Sequence, residues 1–161
     1  MTPGALVIGY GNVLRSDDGV GWHVAERLDN DPRFDGVTVL QRHQLTPELS
    51  LDVSRADLVV LVDASQGHPA GTFTIERVSA VEHSTTTWSH RMEPATLVGL
   101  AQELYGHSPE VHLVSVGVAS LDVGDRLSPA LEAAVPRVVD AMAELLAARI
   151  GQHLVADGSR A

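Results

Sequence analysis

The chain has no cysteine and no lysine; all eleven of its cations are arginine. Without cysteine there are no disulfides, thiolate nucleophiles or thiolate metal ligands, a composition that suits a reducing compartment. Without lysine there is no P-loop lysine, no Schiff-base lysine and no Ser-x-x-Lys nucleophile. The sequence also lacks a Gly-x-Ser-x-Gly elbow and a His-Glu-x-x-His pair, which removes the common signals of serine hydrolases and zincins. The start, MTPGALVIGYGN, has no basic n-region, and its apolar stretch is far too short for a signal peptide or a membrane span. A cytoplasmic protein is expected. The formal charge of −10 argues against nucleic-acid and anionic-membrane surfaces, which would repel it.

What is present is one domain's worth of core. With 161 residues and 44% hydrophobic content, the chain holds one ordinary domain and not two. Leu6, Val7 and Ile8 read as a buried parallel strand stopped by glycines. Val20, Val24 and Leu28 recur at helical spacing behind it, with Asp17 or Asp18 as N-cap. Val37 to Leu40 reads as a second strand and Pro47 to Ser54 as a short helix or turn. DLVVLVD, Asp57 to Asp63, is apolar on both faces and belongs at the centre of a sheet.

The loop ASQGHPA is too short for a parallel crossover, so Thr72 to Glu76 is expected to be antiparallel and at an edge. After a long polar stretch, SAVEHSTTTWSHR, Pro94 opens a helix closed by Gly106. Val111 to Val118 is a further buried strand, and Ser128-Pro129 starts a last helix in which Pro136 implies a kink or a late start. Periodicity fades from Gly151, predicting a frayed tail over 151–161. The sum is α/β, a mostly parallel sheet of about five strands between helices.

In such sheets ligands gather outside the carboxyl ends of the strands. That rule selects the loop GYGNVLRSDDGVG with Asp17 and Asp18, the strand-end Asp63, and the polar loop with His83 and His90. Gly9-Tyr10-Gly11 supplies two glycines of a dinucleotide fingerprint, but Leu14 stands where the third belongs, and two carboxylates at the helix start would repel phosphate. Carboxylate and imidazole donors from three loops suit zinc, nickel, manganese or iron. Taken singly, the acidic pair also serves as a helix cap, Asp63 as an Asx-turn and His90 as a loop histidine. His23, His68, His107, His112 and His153 show no partner pattern and read as structural or solvated.

GYGNVLRSDDGVG resembles the N-terminal signature of the hydrogenase maturation proteases: an apolar strand, Gly-x-Gly-Asn, then Asp followed by an acidic residue before Gly-x-Gly. LVDAS around Asp63, SHRMEP around His90 and LVSVGVASLDVGDRLSP resemble later parts of the family pattern, so the likeness runs from Leu6 to about Leu146. The resemblance implies a three-layer α/β/α fold with a five-stranded sheet, mostly parallel with one antiparallel edge strand. It implies an endopeptidase that removes the C-terminal extension of a nickel-iron hydrogenase large-subunit precursor. Asp18, Asp63 and His90 are then the residues that contact nickel and carry catalysis. The nickel is implied to be carried by the precursor and not held permanently.

One departure is visible. Many members carry a Gly-Gly-Thr loop after the second strand; here HQLTPELS places Gln44 and Leu45 at the glycine positions and keeps Thr46. Asn12, His43 and Thr46 are the substrate-loop candidates. The expected protein is a monomer with a single peptidase domain over 1–150, acting on the precursor and on neither nucleic acid nor membrane. Two rivals stand beside it: a non-catalytic nickel-dependent chaperone for the precursor, and a hydrolase of related architecture such as a peptidyl-tRNA hydrolase. The acidic charge and the Asp-Asp pair speak against tRNA.

Overall fold

Hydrophobic alternation in adjacent strands sorts the core into two halves. The computed structural model describes residues 4–158 apart from residues 81–91, with side chains described through residue 149. Strand β1, Ala5–Tyr10, is buried along its whole length, as a central parallel strand must be when helices cover both faces. It leads to α1, Val20–Asp29. Then follow β2, Thr38–Arg42, α2, Leu49–Arg55, β3, Leu58–Ser65, and β4, Phe73–Arg77. The chain closes with α3, Pro94–Tyr105, β5, Glu110–Gly117, and α4, Pro129–Gly158.

The five strands lie in the order β2-β1-β3-β5-β4. Every pairing is parallel except β4 with β5, so the short loop after β3 does produce the antiparallel edge strand. Val7, Val60, Val62 and Val114 pack with Val24, Leu28, Val138 and Met142 on the face covered by α1 and α4. Leu6, Ile8, Val59 and Leu61 pack with Leu49, Val53, Leu97 and Ala101 under α2 and α3. This is the expected three-layer α/β/α arrangement. Each such buried aliphatic side chain contributes about 1.5–3 kcal/mol by leaving water.

Two expectations are corrected. The N-cap of α1 is Gly19, with no side-chain cap hydrogen bond, because the carboxylate of Asp17 is used elsewhere. Helix α4 starts at Pro129 and passes through Pro136; apolar packing of Leu131, Val135, Val138 and Met142 outweighs the one missing backbone donor. It then runs to Gly158. No helix among the described residues is long and apolar enough to cross a membrane.

Candidate active site

The loop after β1 folds back tightly on itself. Gly11 has φ 144°, and a Cβ there would lie 2.0 Å from the carbonyl oxygen of Asp18, so only glycine allows the loop's return to pass so close. The Gly11 N–H donates to the Arg42 carbonyl at 3.1 Å, and the Trp22 indole N–H donates to the same oxygen at 2.8 Å. The end of β2 is thereby fastened to the turn that follows β1. Asn12 forms an Asx-turn, its side-chain oxygen accepting from Leu14 N–H at 2.9 Å. The Asn12 N–H donates to Asp18 Oδ2 at 2.8 Å.

The two neighbouring aspartates have opposite fates. Asp17 is fully buried. Its Oδ2 accepts from the N–H groups of Ala119 at 2.8 Å and Ser120 at 3.0 Å and from the Ser128 hydroxyl at 2.8 Å, while Oδ1 accepts from Ser128 N–H at 2.7 Å. Burial pushes this carboxyl up, but the donors of Ser128, Ala119 and Ser120 outweigh it and hold the group below the usual carboxylate range. Further bonds run alongside: Ser16 N–H to the Gly124 carbonyl at 2.8 Å, Gly124 N–H to the Leu14 carbonyl at 2.9 Å and Ser16 hydroxyl to the Asp122 carbonyl at 2.7 Å. Asp17 therefore organises two loops, and Asp18, half-buried beside it, is carried on a rigid platform.

Asp63 stands near the end of β3, half-buried. Gly9 and Val62 are partners across the β1–β3 pair, so the next residues, Tyr10 and Asp63, are neighbours in turn. Burial first, then the nearby Asp63 carboxylate, then the charge of Glu93, raise Tyr10 above the ordinary phenol range. Glu93 is the N-cap of α3, which brings the start of that helix toward the same place. His83 and His90, expected just ahead of α3, lie outside the described residues. Among the described residues no group of three or more His, Asp and Glu side chains is arranged to hold a metal ion.

The loop after β2 shows how the missing glycines are accommodated. Leu45 is buried against the α2–α3 face of the sheet, and His43 and Gln44 are exposed. Thr46 is half-buried, and Glu48 is held below the usual carboxylate range first by its own backbone N–H and then by the nearby Thr46. The Thr46 carbonyl accepts from Leu49 N–H at 3.1 Å, so this residue also shapes the start of α2.

Two side chains escaped the sequence reading. Tyr10, which stands between two glycines in the sequence, is the last residue of β1 and is buried. His68 bridges Ser65 and Thr74, with Nδ1 2.8 Å from one hydroxyl and Nε2 3.2 Å from the other, and so ties the loop after Asp63 to β4. A Ser-x-x-His spacing was the only local signal for it. His112 also has a partner: its Nε2 lies 3.3 Å from Glu110, which meets Arg77 and Arg149 as well. This group sits at the amino end of β5, opposite the rim where Asp18 and Asp63 converge.

Chemically, two half-buried carboxylates lie beyond or near the carboxyl ends of adjacent strands, Asp18 on a braced loop and Asp63 beside the buried Tyr10 in the strand register. Such a pair can bind a cation or serve acid–base chemistry. The family model described as HycI, hydrogenase maturation protease, matches residues 22–145. Among solved structures, the hydrogenase maturating endopeptidase HybD from E. coli is 27% identical, with 86% of this chain and 89% of that one covered and a TM-score of 0.64. A hydrogenase 2 maturation peptidase from a Thaumarchaeota archaeon is 25% identical, covering 89% of this chain and 98% of its own, with a TM-score of 0.68. HycI from Thermococcus kodakarensis shares the fold, at 24% identity, 90% and 93% coverage and a TM-score of 0.68. No curated protein sequence gives a significant match. Because the family match extends from within α1 to within α4, and this sheet carries the two acidic positions at one rim, the chain belongs to the hydrogenase maturation protease family.

Proposed function

We propose that this protease removes the C-terminal extension of a nickel-iron hydrogenase large-subunit precursor once nickel has been inserted. What supports the reading is that Asp63 lies near the carboxyl end of β3 and Asp18 in the loop that follows the neighbouring parallel strand β1. Oxygen donors of this type suit a divalent transition metal when an imidazole completes the set, and His90 is the residue proposed for that part. The nickel belongs to the precursor, so it is substrate and not a resident cofactor. A metal so placed polarises a carbonyl or lowers the pKa of a bound water; the task of Asp18, Asp63 and His90 is to recognise it and to align the scissile bond beside it.

The surrounding loops fit this task. His43, exposed beside the turn that holds Asn12, is proposed to meet the precursor chain, with Thr46 and Asn12 shaping the approach. The protease is proposed to act as a monomer in the cytoplasm, where a chain without cysteine is at home.

The test is direct. Purified protein is mixed with nickel-loaded and with nickel-free precursor, and precursor mass is followed. Loss of a C-terminal peptide from the loaded form alone is the expected result. Binding of the loaded form without any mass change would instead assign the chain to nickel-dependent chaperoning, and cleavage irrespective of nickel would remove metal recognition from the proposal.

A further inference from the structure

Two successive reverse turns bring the chain back on itself after β1. The Arg15 N–H donates to the Asn12 carbonyl at 3.1 Å, and the Asp18 N–H donates to the Arg15 carbonyl at 3.1 Å. The return is so close that the Asp18 carboxyl carbon lies 3.8 Å from where a Cβ on Gly11 would stand. Asp18 Oδ2 then accepts the Asn12 N–H at 2.8 Å, a charge-assisted bond and so one of the stronger kind. A carboxylate on a side chain with two rotatable bonds samples several orientations in water; a fixed backbone donor on one of its oxygens selects among them. That donor is fixed only if residue 12 keeps one conformation. The Asn12 side chain supplies the lock, since its oxygen accepts the Leu14 N–H at 2.9 Å and closes an Asx-turn over residues 12–14. The far end of the loop is fastened separately, through Asp17 to Ala119, Ser120 and Ser128, so a change at Asn12 leaves the loop tethered and disturbs its aim.

We propose that Asn12 is a positioning residue for Asp18: its side chain locks the turn, and the backbone N–H so held engages Asp18 Oδ2 and leaves Oδ1 as the oxygen offered to the precursor's metal centre. The inference rests on the function proposed above, since it names how one of the three recognising residues is aimed. Partners of this kind orient a ligating carboxylate without touching the substrate, and their removal commonly lowers activity or metal affinity about 10–100-fold.

The experiment compares full-length wild type with Asn12→Ala and Asn12→Ser on nickel-loaded precursor, measuring kcat and KM separately. Positioning is expected to appear in Asn12→Ala as a kcat lower by about tenfold or more with KM little changed. Serine, whose hydroxyl closes the same turn more weakly, should restore part of the rate; a serine variant no faster than alanine overturns the lock. An unchanged kcat in Asn12→Ala overturns the proposal, and so does a rise in KM alone, which would mark the Asn12 amide as a contact for the precursor chain. Amide hydrogen exchange of the free protein gives a readout apart from cleavage. The residue-12 N–H is expected to exchange at least about tenfold faster in Asn12→Ala and in Asp18→Ala than in wild type, while the amides of β1 keep their protection. Equal protection of that N–H in wild type and Asn12→Ala overturns the positioning role. If wild type leaves the precursor intact, the protease reading fails on its own, and amide exchange then decides whether Asn12 holds Asp18.

Discussion

Ser128 donates both its backbone N–H and its hydroxyl to Asp17, a residue 111 positions earlier in the chain. With Ala119 and Ser120 adding two more backbone donors, the carboxylate satisfies a loop that would otherwise hold buried, unpaired N–H groups. Asp17→Ala is expected to destabilise the fold by about 2–5 kcal/mol, since several donors lose their acceptor at once. Asp17→Asn keeps the shape but sets an amide NH2 against donors, for a loss of about 1–3 kcal/mol. Urea unfolding of the three proteins measures both.

The same carboxylate makes stability depend on pH in a defined direction. Its folded value lies below the ordinary 3.8 of an unfolded chain, so its contribution is fully present above that value. It is lost as pH falls through the lower folded value, because the unfolded state binds the proton first. The stability gap between wild type and Asp17→Asn should therefore stay constant near neutrality and narrow below pH 3.8. A gap that widens in acid would contradict the assignment.

Gly21 lies inside α1, yet it lets the helix touch the sheet. A Cβ there would meet the Val62 carbonyl oxygen at 2.6 Å and the Tyr10 nitrogen at 2.7 Å. Both contacts are backbone, so neither yields by a side-chain rotation. Gly21→Ala is expected to cost about 3 kcal/mol or more, despite alanine's better helix propensity, and the thermal midpoint reports it. Amide shifts at Tyr10 and Val62 should move with it.

Asp18 and Asp63 should behave differently from Asp17. Both are half-buried, and Asp18→Asn keeps an acceptor for the Asn12 N–H, so each Asn variant is expected to change stability by about 1 kcal/mol or less. Precursor cleavage should nonetheless be abolished in both, and in His90→Ala. Full activity in any one of them removes that residue from the site.

His43 and Thr46 are separable by the same logic. Exposed His43 is expected to leave stability within about 0.5 kcal/mol when changed to alanine, and to raise KM for the precursor. Thr46→Val keeps the shape of this half-buried side chain and is expected to leave the fold intact. A KM effect in Thr46→Val as large as in His43→Ala would show that both touch substrate.

Much of this architecture was legible in the residues because it follows from local rules. The run LVVLV announces a strand covered on both faces, and the short ASQGHPA loop excludes a crossover before β4. The placement of Asp18 and Asp63 at one rim follows from the carboxyl-end rule. What was hidden is long-range. No local rule shows that Asp17 serves a loop more than one hundred residues away, so it read as a cap for the helix beside it. Nor does an apolar strand pattern reveal that Tyr10 stands beside Asp63, since that requires the β1–β3 register. Leu45 in place of a loop glycine makes sense only once its burial under α2 is seen.

The bond from Asp17 to Ser128 also sets a clock. A ribosome releases the acidic pair early, and domains take shape from the amino end as they emerge. The donors of Ala119, Ser120 and Ser128 appear 102 to 111 residues later. Before then β5, the neighbour of the strand that bears Asp63, is missing as well. A nascent or truncated chain ending before residue 119 thus carries both rim carboxylates but lacks the bracing that aims them. The loop that carries the acidic pair is therefore fully braced only when the polypeptide is nearly finished.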